Sequence, residues 1–260
     1  MSRAAYAFSN DDPAAADRHR YLAAMLDGPT TARLAGLGDL TGRRCLELGA
    51  GGGSIAGWLA AQGARVLATD LNVRHLPAGA PYEVLRHDLI TEPVPAGEWD
   101  LIHARMVLLH LPQRHEILRR LAGALAPGGA LVIEEFATTF RHAVLAAPSP
   151  ADAEAYLLYF DTLVDKVLPA LGNDSRWAGR VHAAMLDAGL TGVETEVHAR
   201  SWPGGTAGAL LNAANIAQQR AGLRRAGLTD ELLDRVTALM SDPRMVVRGH
   251  LVHSVVGLRP

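Results

Sequence analysis

The sequence is poor in the residues that disulfides, metal clusters and polyanion binding require. Its 260 residues contain one cysteine, Cys45, which excludes an internal disulfide and a thiolate metal cluster. The 11 histidines include no His-Glu-x-x-His motif, so we expect no bound metal. The formal net charge is −2 and no basic block with interleaved aromatics occurs. Nucleic acid is therefore not an expected partner.

Long apolar runs are missing as well. No apolar span of 18 residues occurs, and the first residues lack the apolar core of an export signal. We therefore expect no membrane partner and a cytoplasmic location. No Gly-Lys-Ser/Thr follows the glycines and no Gly-x-Ser-x-Gly elbow occurs, which argues against a nucleoside-triphosphate loop and an ester hydrolase.

The most informative stretch runs from Arg44 to Ala60. A short apolar run, Cys45 to Leu48, stops in glycines, and an Ala/Leu-rich helical pattern begins at Ser54. This order predicts a strand, a tight turn and a helix N-terminus. Glycines let a ligand approach the backbone, and the turn leaves N–H groups beside the positive end of the helix dipole. We therefore predict a nucleotide site here.

Two motif frames fit these glycines. Gly51-x-Gly53-x-x-Ala56 matches the dinucleotide fingerprint, whereas Glu47-x-Gly49-x-Gly51-x-Gly53 matches the first motif of S-adenosylmethionine-dependent methyltransferases. The next predicted strand ends in Asp70, 19 residues after Gly51. An acid there accepts hydrogen bonds from ribose hydroxyls under either frame.

Three further strands follow, and with them the succession resembles the class I S-adenosylmethionine-dependent methyltransferases. The strands are Tyr82–Arg86, Trp99–Arg105 and Ala130–Phe136, the last preceded by Ala126-Pro127-Gly128-Gly129. The resemblance is greatest to an actinobacterial branch acting on small molecules. It implies S-adenosyl-L-methionine as cofactor and a small-molecule acceptor in secondary metabolism, such as antibiotic biosynthesis.

The alternation of strands and helices predicts an α/β fold with a parallel sheet covered on both faces. The resemblance makes this a Rossmann-like, mostly parallel seven-stranded sheet with an antiparallel last strand and a helical lid. We expect residues 1–39 to form an N-terminal helical lid, with one helix ending at Gly28-Pro29 and a second short helix after it. Residues 40–260 would form the core, with helical insertions at about 141–173 and 206–241 capping the substrate site. The last strand is predicted over Met245–Leu258. The sequence does not distinguish a homodimer from a monomer.

Parallel strands end at one edge of their sheet, so the glycine turn, Asp70, Asp88 and residues 104–110 are expected to converge. By resemblance, Glu47 approaches the methionine end of the cofactor, although a pair with Arg105 is the alternative. Asp88 would hold the adenine amine or cap a loop instead. The full set implied to bind cofactor is Arg20, Glu47, Gly49, Ala50, Gly51, Gly53, Asp70, Leu71, Asp88, Leu89, Ala104 and Arg105.

Methyl transfer from a sulfonium needs alignment and exclusion of water, and a base only where the nucleophile must lose a proton. His110 is the candidate base, because its titration range suits the task, and the alternative is a core or capping histidine. Glu135 would orient His110 or bind substrate. The residues expected to bind substrate are Tyr6, Tyr21, His142, Tyr156 and Phe160.

Two other functions stay open at this point. One is an NAD(P)-dependent oxidoreductase, which the dinucleotide frame allows. The other is a cofactor-binding relative that does not methylate, such as a regulator or a pericyclase-like protein.

Overall fold

The computed structural model describes Phe8, residues 10–138 and residues 143–260. The described residues form two compact units. The first, which we call the sheet unit, comprises residues 26–137, 176–198 and 252–260. The second, the helical unit, comprises the described residues up to 25, residue 138, and residues 143–175 and 199–251. The described residues of both predicted insertions therefore belong to the helical unit. That the insertions cap a substrate site stays a prediction.

The described residues contain ten strands and eight helices. The strands are β1 (Arg44–Leu48), β2 (Arg65–Asp70), β3 (Glu83–Arg86), β4 (Trp99–Arg105), β5 (Leu125–Ala137), β6 (Val144–Ala146), β7 (Thr191–His198), β8 (Ser201–Pro203), β9 (Val246–Arg248) and β10 (Leu251–Leu258). The helices are α1 (Ala15–Ala35), α2 (Ser54–Ala61), α3 (Arg114–Ala124), α4 (Pro150–Thr162), α5 (Leu168–Ala170), α6 (Val181–Asp187), α7 (Ala207–Arg225) and α8 (Asp230–Leu239). A π-helical turn, Leu163–Val167, continues α4, and a 3₁₀ turn, Leu108–His110, precedes α3.

A seven-stranded sheet forms the centre of the sheet unit, in the order β3-β2-β1-β4-β5-β10-β7. Strands β1 to β5 pair in parallel, and β10 pairs antiparallel with β7. Beside β10, the N–H of Gly128 donates to Arg259 O and the N–H of Arg259 donates to Gly129 O, each at 2.9 Å. The predicted α/β fold, with a mostly parallel seven-stranded sheet and its last strand inserted antiparallel beside the fifth, is confirmed.

One face of this sheet changes from apolar to charged along the strands. Cys45 and Leu101 lie near the strand beginnings, in a buried cluster with Leu34 of α1 and Leu59 of α2. Further along, the same face carries the polar side chains of Glu47, His103, Arg105 and Glu134. The polar chemistry of the sheet is therefore concentrated at the carboxyl ends of its strands.

Helix α1 corrects the prediction that a helix ends at Gly28-Pro29. The helix continues through Pro29 to Ala35, although proline cannot donate to the helical ladder. Leu26, Thr30 and Leu34 are four residues apart and are 4%, 1% and 0% exposed. Burial of this stripe outweighs the local preference of proline, and the Thr31 hydroxyl donates to the Gly28 carbonyl at 3.1 Å.

The predicted terminal strand is also interrupted. Its first part, β9, pairs with β6 and β8 in a three-stranded sheet of the helical unit, and β10 begins only after Gly249 and His250. The N–H of Gly249 donates to Arg200 O at 2.9 Å, and a Cβ at Gly249 would lie 2.7 Å from Trp202 Nε1. The glycine is thus required where the indole packs against the chain.

The helical unit has its own core. Tyr156, Tyr159, Phe160, Leu163 and Val164 follow helical spacing and pack with buried residues of α7 and α8. The predicted apolar stripe of this segment is therefore present, and its residues are core residues of this unit. An ion pair between Asp152 of α4 and Arg235 of α8, 2.7 Å long, lies at its surface.

Replacing Pro29 by alanine tests the continuity of α1. The substitution P29A restores a backbone donor inside the helix, so we expect the free energy of unfolding to rise by about 1–2 kcal/mol, after the unfolded-state entropy that proline removes is subtracted. Urea unfolding measures this change. The control is P150A at the first turn of α4, where proline is favourable. A rise in the free energy of unfolding for P150A but not for P29A would contradict the continuous helix α1.

Candidate functional site

The turn between β1 and α2 has a backbone that only glycine adopts without strain. Gly49, Gly51 and Gly53 have φ values of 63°, 55° and 80°, all in the left-handed region. A Cβ at Gly49 would overlap the Val107 side chain, and a Cβ at Gly53 would overlap the Tyr82 hydroxyl. The glycines thus keep the turn open to close approach, as their spacing predicted.

Asp70 lies directly beside this turn. Its Oδ2 accepts from the Gly51 N–H and its Oδ1 from the Asn72 N–H, both at 2.9 Å. These two bonds orient the Asp70 carboxylate beside the glycine turn. The Ala50 N–H donates to Thr69 O at 2.9 Å, which fixes the turn to the end of β2.

Helix α2 begins at this turn, with Gly53 as its N-cap, a residue that has no side chain to accept from the first N–H groups. The hydroxyl of Ser54, its first residue, donates to Asp27 Oδ1 at 3.2 Å. The positive end of the α2 dipole therefore lies beside the glycine turn, where a negative or electron-rich group is favoured.

The third strand end carries the Asp88 loop. Asp88 Oδ1 accepts from the Ile90 N–H at 3.0 Å. The Asp88 side chain therefore caps a local turn, which is the alternative to binding the adenine amine. Arg120 donates to Leu89 O and to Glu92 O, the second bond at 3.1 Å. Leu71, which follows Asp70, is 41% exposed and is available to pack on a flat ligand.

Three strands join in a buried carboxylate–imidazole–carboxylate arrangement. Glu47, His103 and Glu134 are 3%, 0% and 2% exposed. Glu47 Oε2 lies 2.7 Å from His103 Nδ1, and His103 Nε2 lies 3.5 Å from Glu134 Oε2. The partner of Glu47 is therefore His103, and the expected alternative, Arg105, is not its partner.

The electrostatics of this arrangement favour its ionised form. Burial by itself would lower the pKa of His103, but the charge of Glu47, the nearby Glu134 carboxylate and the hydrogen bond to Glu47 raise it to about 9. Burial likewise opposes ionisation of Glu134, yet His103, Thr30 and Arg105 lower its pKa to about 2. At neutral pH, His103 is an imidazolium and Glu134 is a carboxylate.

Arg105 has partners on α1. It donates to Thr30 Oγ1 at 2.9 Å and to Asp27 Oδ1 at 2.8 Å. Thr30 in turn donates to Glu134 Oε2. Ala104 is fully buried, so only its backbone is a candidate for ligand contact. The expected role of Arg105 in binding the cofactor stays a prediction.

Sequence reasoning missed His103, Glu134 and Thr30 as members of this site. The available signal was the pair of polar residues inside apolar strands, His103 after Leu101-Ile102 and Glu134 after Val132-Ile133. A buried polar residue needs a partner, and the register Glu47↔His103 supplies one. That register is a property of the sheet, which the sequence did not provide.

His110 and Glu135 meet around the 3₁₀ turn. Glu135 Oε1 accepts from the Leu109 N–H at 3.1 Å, and Arg114 donates to Leu108 O and Leu109 O at 3.2 and 3.3 Å. Glu135 thus anchors the backbone that carries His110, which is 7% exposed. Just before, Met106 has φ 57°, a strained conformation of the kind that clusters at functional sites.

Burial raises the pKa of Glu135 to about 8, although hydrogen bonds from Leu109, Leu108 and Val107 act in the opposite direction. The side chain is fully buried. Near neutral pH, Glu135 is therefore mostly protonated, and its assignment as a catalytic group stays a prediction, as does that of His110.

The remaining predicted site residues lie in the helical unit or outside the described residues. Arg20 is exposed and pairs with Asp17 at 2.7 Å, with Tyr21 next to it. The buried Tyr156 hydroxyl donates to Asn212 Oδ1 at 3.4 Å. Phe160 stacks on the His250 ring with centroids 5.5 Å apart.

The roles expected for these helical-unit side chains stay predictions. Tyr6 and His142 lie outside the described residues.

Within the described residues, no group of three or more histidine, cysteine or acidic side chains is arranged to hold a metal. In the same part of the chain, no helix has the length and apolarity needed to cross a membrane. The glycine turn, Asp70 and the parallel sheet define a nucleotide-binding α/β protein of Rossmann-like type.

Comparison with known proteins identifies the family. Residues 15–167 match the model of a methyltransferase domain. The chain belongs to this methyltransferase family, and the recognition of a methyltransferase from the sequence motifs is confirmed. A curated relative, methyltransferase str2 of Strobilurus tenacellus, is 40% identical over 100 residues, which cover 36% of this chain and 35% of the relative. The chain thus matches only about a third of that relative's length.

Two solved structures share the fold at low sequence identity. Phosphoethanolamine N-methyltransferase 2 of Haemonchus contortus, in complex with phosphomonomethylethanolamine and S-adenosylhomocysteine, has a TM-score of 0.55 and 16% identity, over 90% of this chain and 52% of that one. The [4+2]-cyclase SpnF has a TM-score of 0.50 and 17% identity, over 89% of this chain and 80% of that one. The fold is therefore shared by proteins named for different reactions.

Gly49 offers a direct test of the turn. The substitution G49A places a methyl group against Val107 in a left-handed conformation, so we expect the free energy of unfolding to fall by about 2–4 kcal/mol. The matched control is G57A inside α2, where a Cβ has 3.9 Å to its nearest neighbour and should stabilise by roughly 0.5–1 kcal/mol. Chemical denaturation of both variants measures the difference, and equal effects would contradict the turn geometry.

Glu135 should make stability depend on pH. Its folded pKa is raised above the unfolded value, so the folded protein holds a proton that the unfolded chain loses between about pH 4.5 and 8. The native state is penalised as pH rises through this window. The substitution E135Q removes the penalty, and we expect its stability relative to wild type to rise by on the order of 3 kcal/mol between pH 5 and pH 8. Urea unfolding at both pH values measures this, with E83Q on the exposed strand β3 as control; a constant difference would contradict it.

Proposed function

We propose that this protein transfers a methyl group from S-adenosyl-L-methionine to a small-molecule acceptor. The observation that carries the proposal is Asp70, fixed by the Gly51 N–H beside three glycines with positive φ at the carboxyl edge of the sheet. An acid in this position accepts from both hydroxyls of a ribose. Membership of the methyltransferase family supports the choice of cofactor.

The residues present fit this cofactor. The turn would overlap a Cβ at Gly49 and at Gly53, so its shape depends on residues without side chains. In the proposal, Asp70 receives the ribose, Leu71 packs on the adenine, and the Asp88–Leu89 loop receives the adenine amine. Glu47, held by His103 at 2.7 Å, faces the cationic methionine end.

S-adenosylmethionine supplies a methyl carbon on a positively charged sulfur. Alignment at about 3 Å and exclusion of water then account for most of the rate enhancement. The protein's task is to hold the donor and to accept a proton where the acceptor must lose one. His110 is the proposed base, since its position follows β4 and its backbone is anchored through Glu135 and Leu109. The strained Met106 sets the direction in which this segment leaves the strand.

The proposed acceptor is a small, largely apolar molecule of secondary metabolism. The relative str2 of Strobilurus tenacellus is named a methyltransferase. Its name gives no substrate. Assignment to an actinobacterial natural-product branch, with a role such as antibiotic biosynthesis, depends on the sequence motifs alone. The predicted cytoplasmic location and the homodimer stay predictions.

A second candidate function is a protein that binds the cofactor without transferring methyl groups. The observation that favours this second function is the similarity in fold to the [4+2]-cyclase SpnF. The two functions differ in the fate of the cofactor, because only a methyltransferase converts S-adenosylmethionine to S-adenosylhomocysteine as acceptor is consumed. Product formation with a panel of small aromatic and polyketide-like acceptors, followed by mass spectrometry, distinguishes them.

The substitution D70N tests the cofactor site. Loss of hydrogen bonds from two ribose hydroxyls to a charged group is worth about 1.5–3 kcal/mol each, so we expect a loss of S-adenosylhomocysteine affinity of roughly 100-fold or more. Isothermal titration calorimetry measures it. The matched control is D100N, because Asp100 Oδ2 accepts from the Arg44 N–H at 2.8 Å at the opposite edge of the sheet, and this variant should bind normally.

The same titrations decide against the alternatives. Wild-type protein that binds NADH but neither S-adenosylmethionine nor S-adenosylhomocysteine would overturn the proposal in favour of an oxidoreductase. Equal affinity of D70N and wild type for S-adenosylhomocysteine would refute the placement of the ribose.

A further inference from the structure

Glu47, His103 and Glu134 lie on one face of three neighbouring strands. Glu47 on β1 pairs in register with His103 on β4, and His103 pairs with Val132 on β5, two residues before Glu134. Residues in register, and residues two apart on one strand, share a face of the sheet. The imidazole is therefore placed between two carboxylates by the sheet itself.

The contacts require both ring nitrogens to face acceptors. Nδ1 forms a 2.7 Å hydrogen bond with Glu47 Oε2, whereas Nε2 lies 3.5 Å from Glu134 Oε2 and forms no hydrogen bond within the described residues. A neutral imidazole has one donor and one lone pair, whereas an imidazolium has two donors. Neutral His103 would direct a lone pair at one of the two carboxylates. Two carboxylate oxygens at 2.7 and 3.5 Å from the ring thus favour the charged form by electrostatics.

The surrounding charges support the same conclusion. Transfer of an ion into a protein interior costs several kcal/mol unless it is paired, and both carboxylates are almost completely buried. Arg105 is directed to α1, where it forms an ion pair with Asp27 at 2.8 Å. Among these groups, His103 is the cation that contacts Glu47.

Glu134 is fixed from its other side. Its Oε2 accepts from the Thr30 hydroxyl, which itself accepts from Arg105 at 2.9 Å. Glu134 is therefore held by α1, and its carboxylate lies 3.5 Å from the Nε2 side of the His103 ring. Glu47 is the member of the series that lies two residues before Gly49.

We propose that His103 is a positioning residue which, as an imidazolium between Glu47 and Glu134, holds the Glu47 carboxylate in one orientation for the ammonium group of the cofactor's methionine. This inference depends on the proposed function for the identity of the ligand. The inference adds that His103, which does not contact the cofactor in this proposal, controls the affinity for the cofactor. Without His103, the Glu47 carboxylate would lose the hydrogen bond that orients it.

The titratable groups near this site are few enough to name. Glu47 and Glu134 face the ring directly, and Asp27 and Arg105 form the next pair on the α1 side. The Cys45 thiol and the Tyr82 hydroxyl both sense the charge of Glu47, which contributes to raising the pKa of each after burial. Neither changes the sign of the charge on His103 in the neutral range.

The first experiment uses the wild-type protein without ligand. With histidine labelled at Cε1, nuclear magnetic resonance follows all 11 imidazoles as a function of pH. We expect one ring to titrate above pH 8 and to vanish from the spectrum of H103Q, and its midpoint to fall by at least one pH unit in E47Q. If every imidazole titrates below pH 7.5, the inference is overturned.

The second experiment is a double-mutant cycle on S-adenosylhomocysteine affinity. We expect H103Q and E47Q each to weaken binding by 10- to 100-fold, and the double variant to lose no more than about threefold beyond E47Q, because His103 acts through Glu47. The control is H182Q, which removes an exposed imidazole bonded to Thr195 Oγ1 at 2.9 Å and should bind normally. Losses that multiply, or wild-type affinity in H103Q, would overturn the inference.

Failure of the proposed function and failure of this inference give different results. If wild-type protein does not bind S-adenosylhomocysteine, the proposed function fails, whereas the titration of His103 above pH 8 still reports the charged ring. If wild type binds but H103Q binds equally, the inference fails alone. Should H103Q not fold, H103K retains the charge and the wild-type titration retains its meaning.

Discussion

The parallel alignment of the central strands is the constraint on which the site depends. Because β1, β2 and β4 run in the same direction, the glycine turn, Asp70 and the Met106 bend follow their strands at a single edge. The residues concerned are far apart in the sequence. Their proximity needs no dedicated contact between them, since it follows from strand direction and register. Hydrogen bonds such as that between Gly51 and Asp70 then adjust positions that the sheet has already set.

The same alignment explains how charge is tolerated inside the sheet. On the face covered by α1 and α2, the strand beginnings carry Cys45, Leu101 and Ala130, and the strand ends carry Glu47, His103 and Glu134. Each buried carboxylate is placed beside a cation or a donor, so the cost of burial is offset locally. Glu47 is held by a hydrogen bond with His103 Nδ1, and Glu134 is held by one from the Thr30 hydroxyl.

On the opposite face, Glu135 has a different role from its neighbour Glu134. It accepts from backbone N–H groups, and burial raises its pKa to about 8. Two adjacent glutamates thus have opposite ionisation states near neutral pH because a strand directs successive side chains to opposite faces. The fold shared with the [4+2]-cyclase SpnF also shows that such a scaffold accepts more than one chemistry, so the assignment of function depends on the site.

The sequence by itself determined the strands, the glycine turn and Asp70, because these are local: glycines at fixed spacing define a turn, and an acid ending the next strand follows from one βαβ unit. It also determined the family. The tertiary structure alone decided that α1 continues through Pro29, since burial of Leu26, Thr30 and Leu34 outweighs a local preference, and that the last strand divides at Gly249, where Trp202 packs. It alone decided the partners of Glu47, Arg105 and Glu135. Those partners are set by register and by which strands are neighbours, and neither quantity is written in the order of residues along the chain.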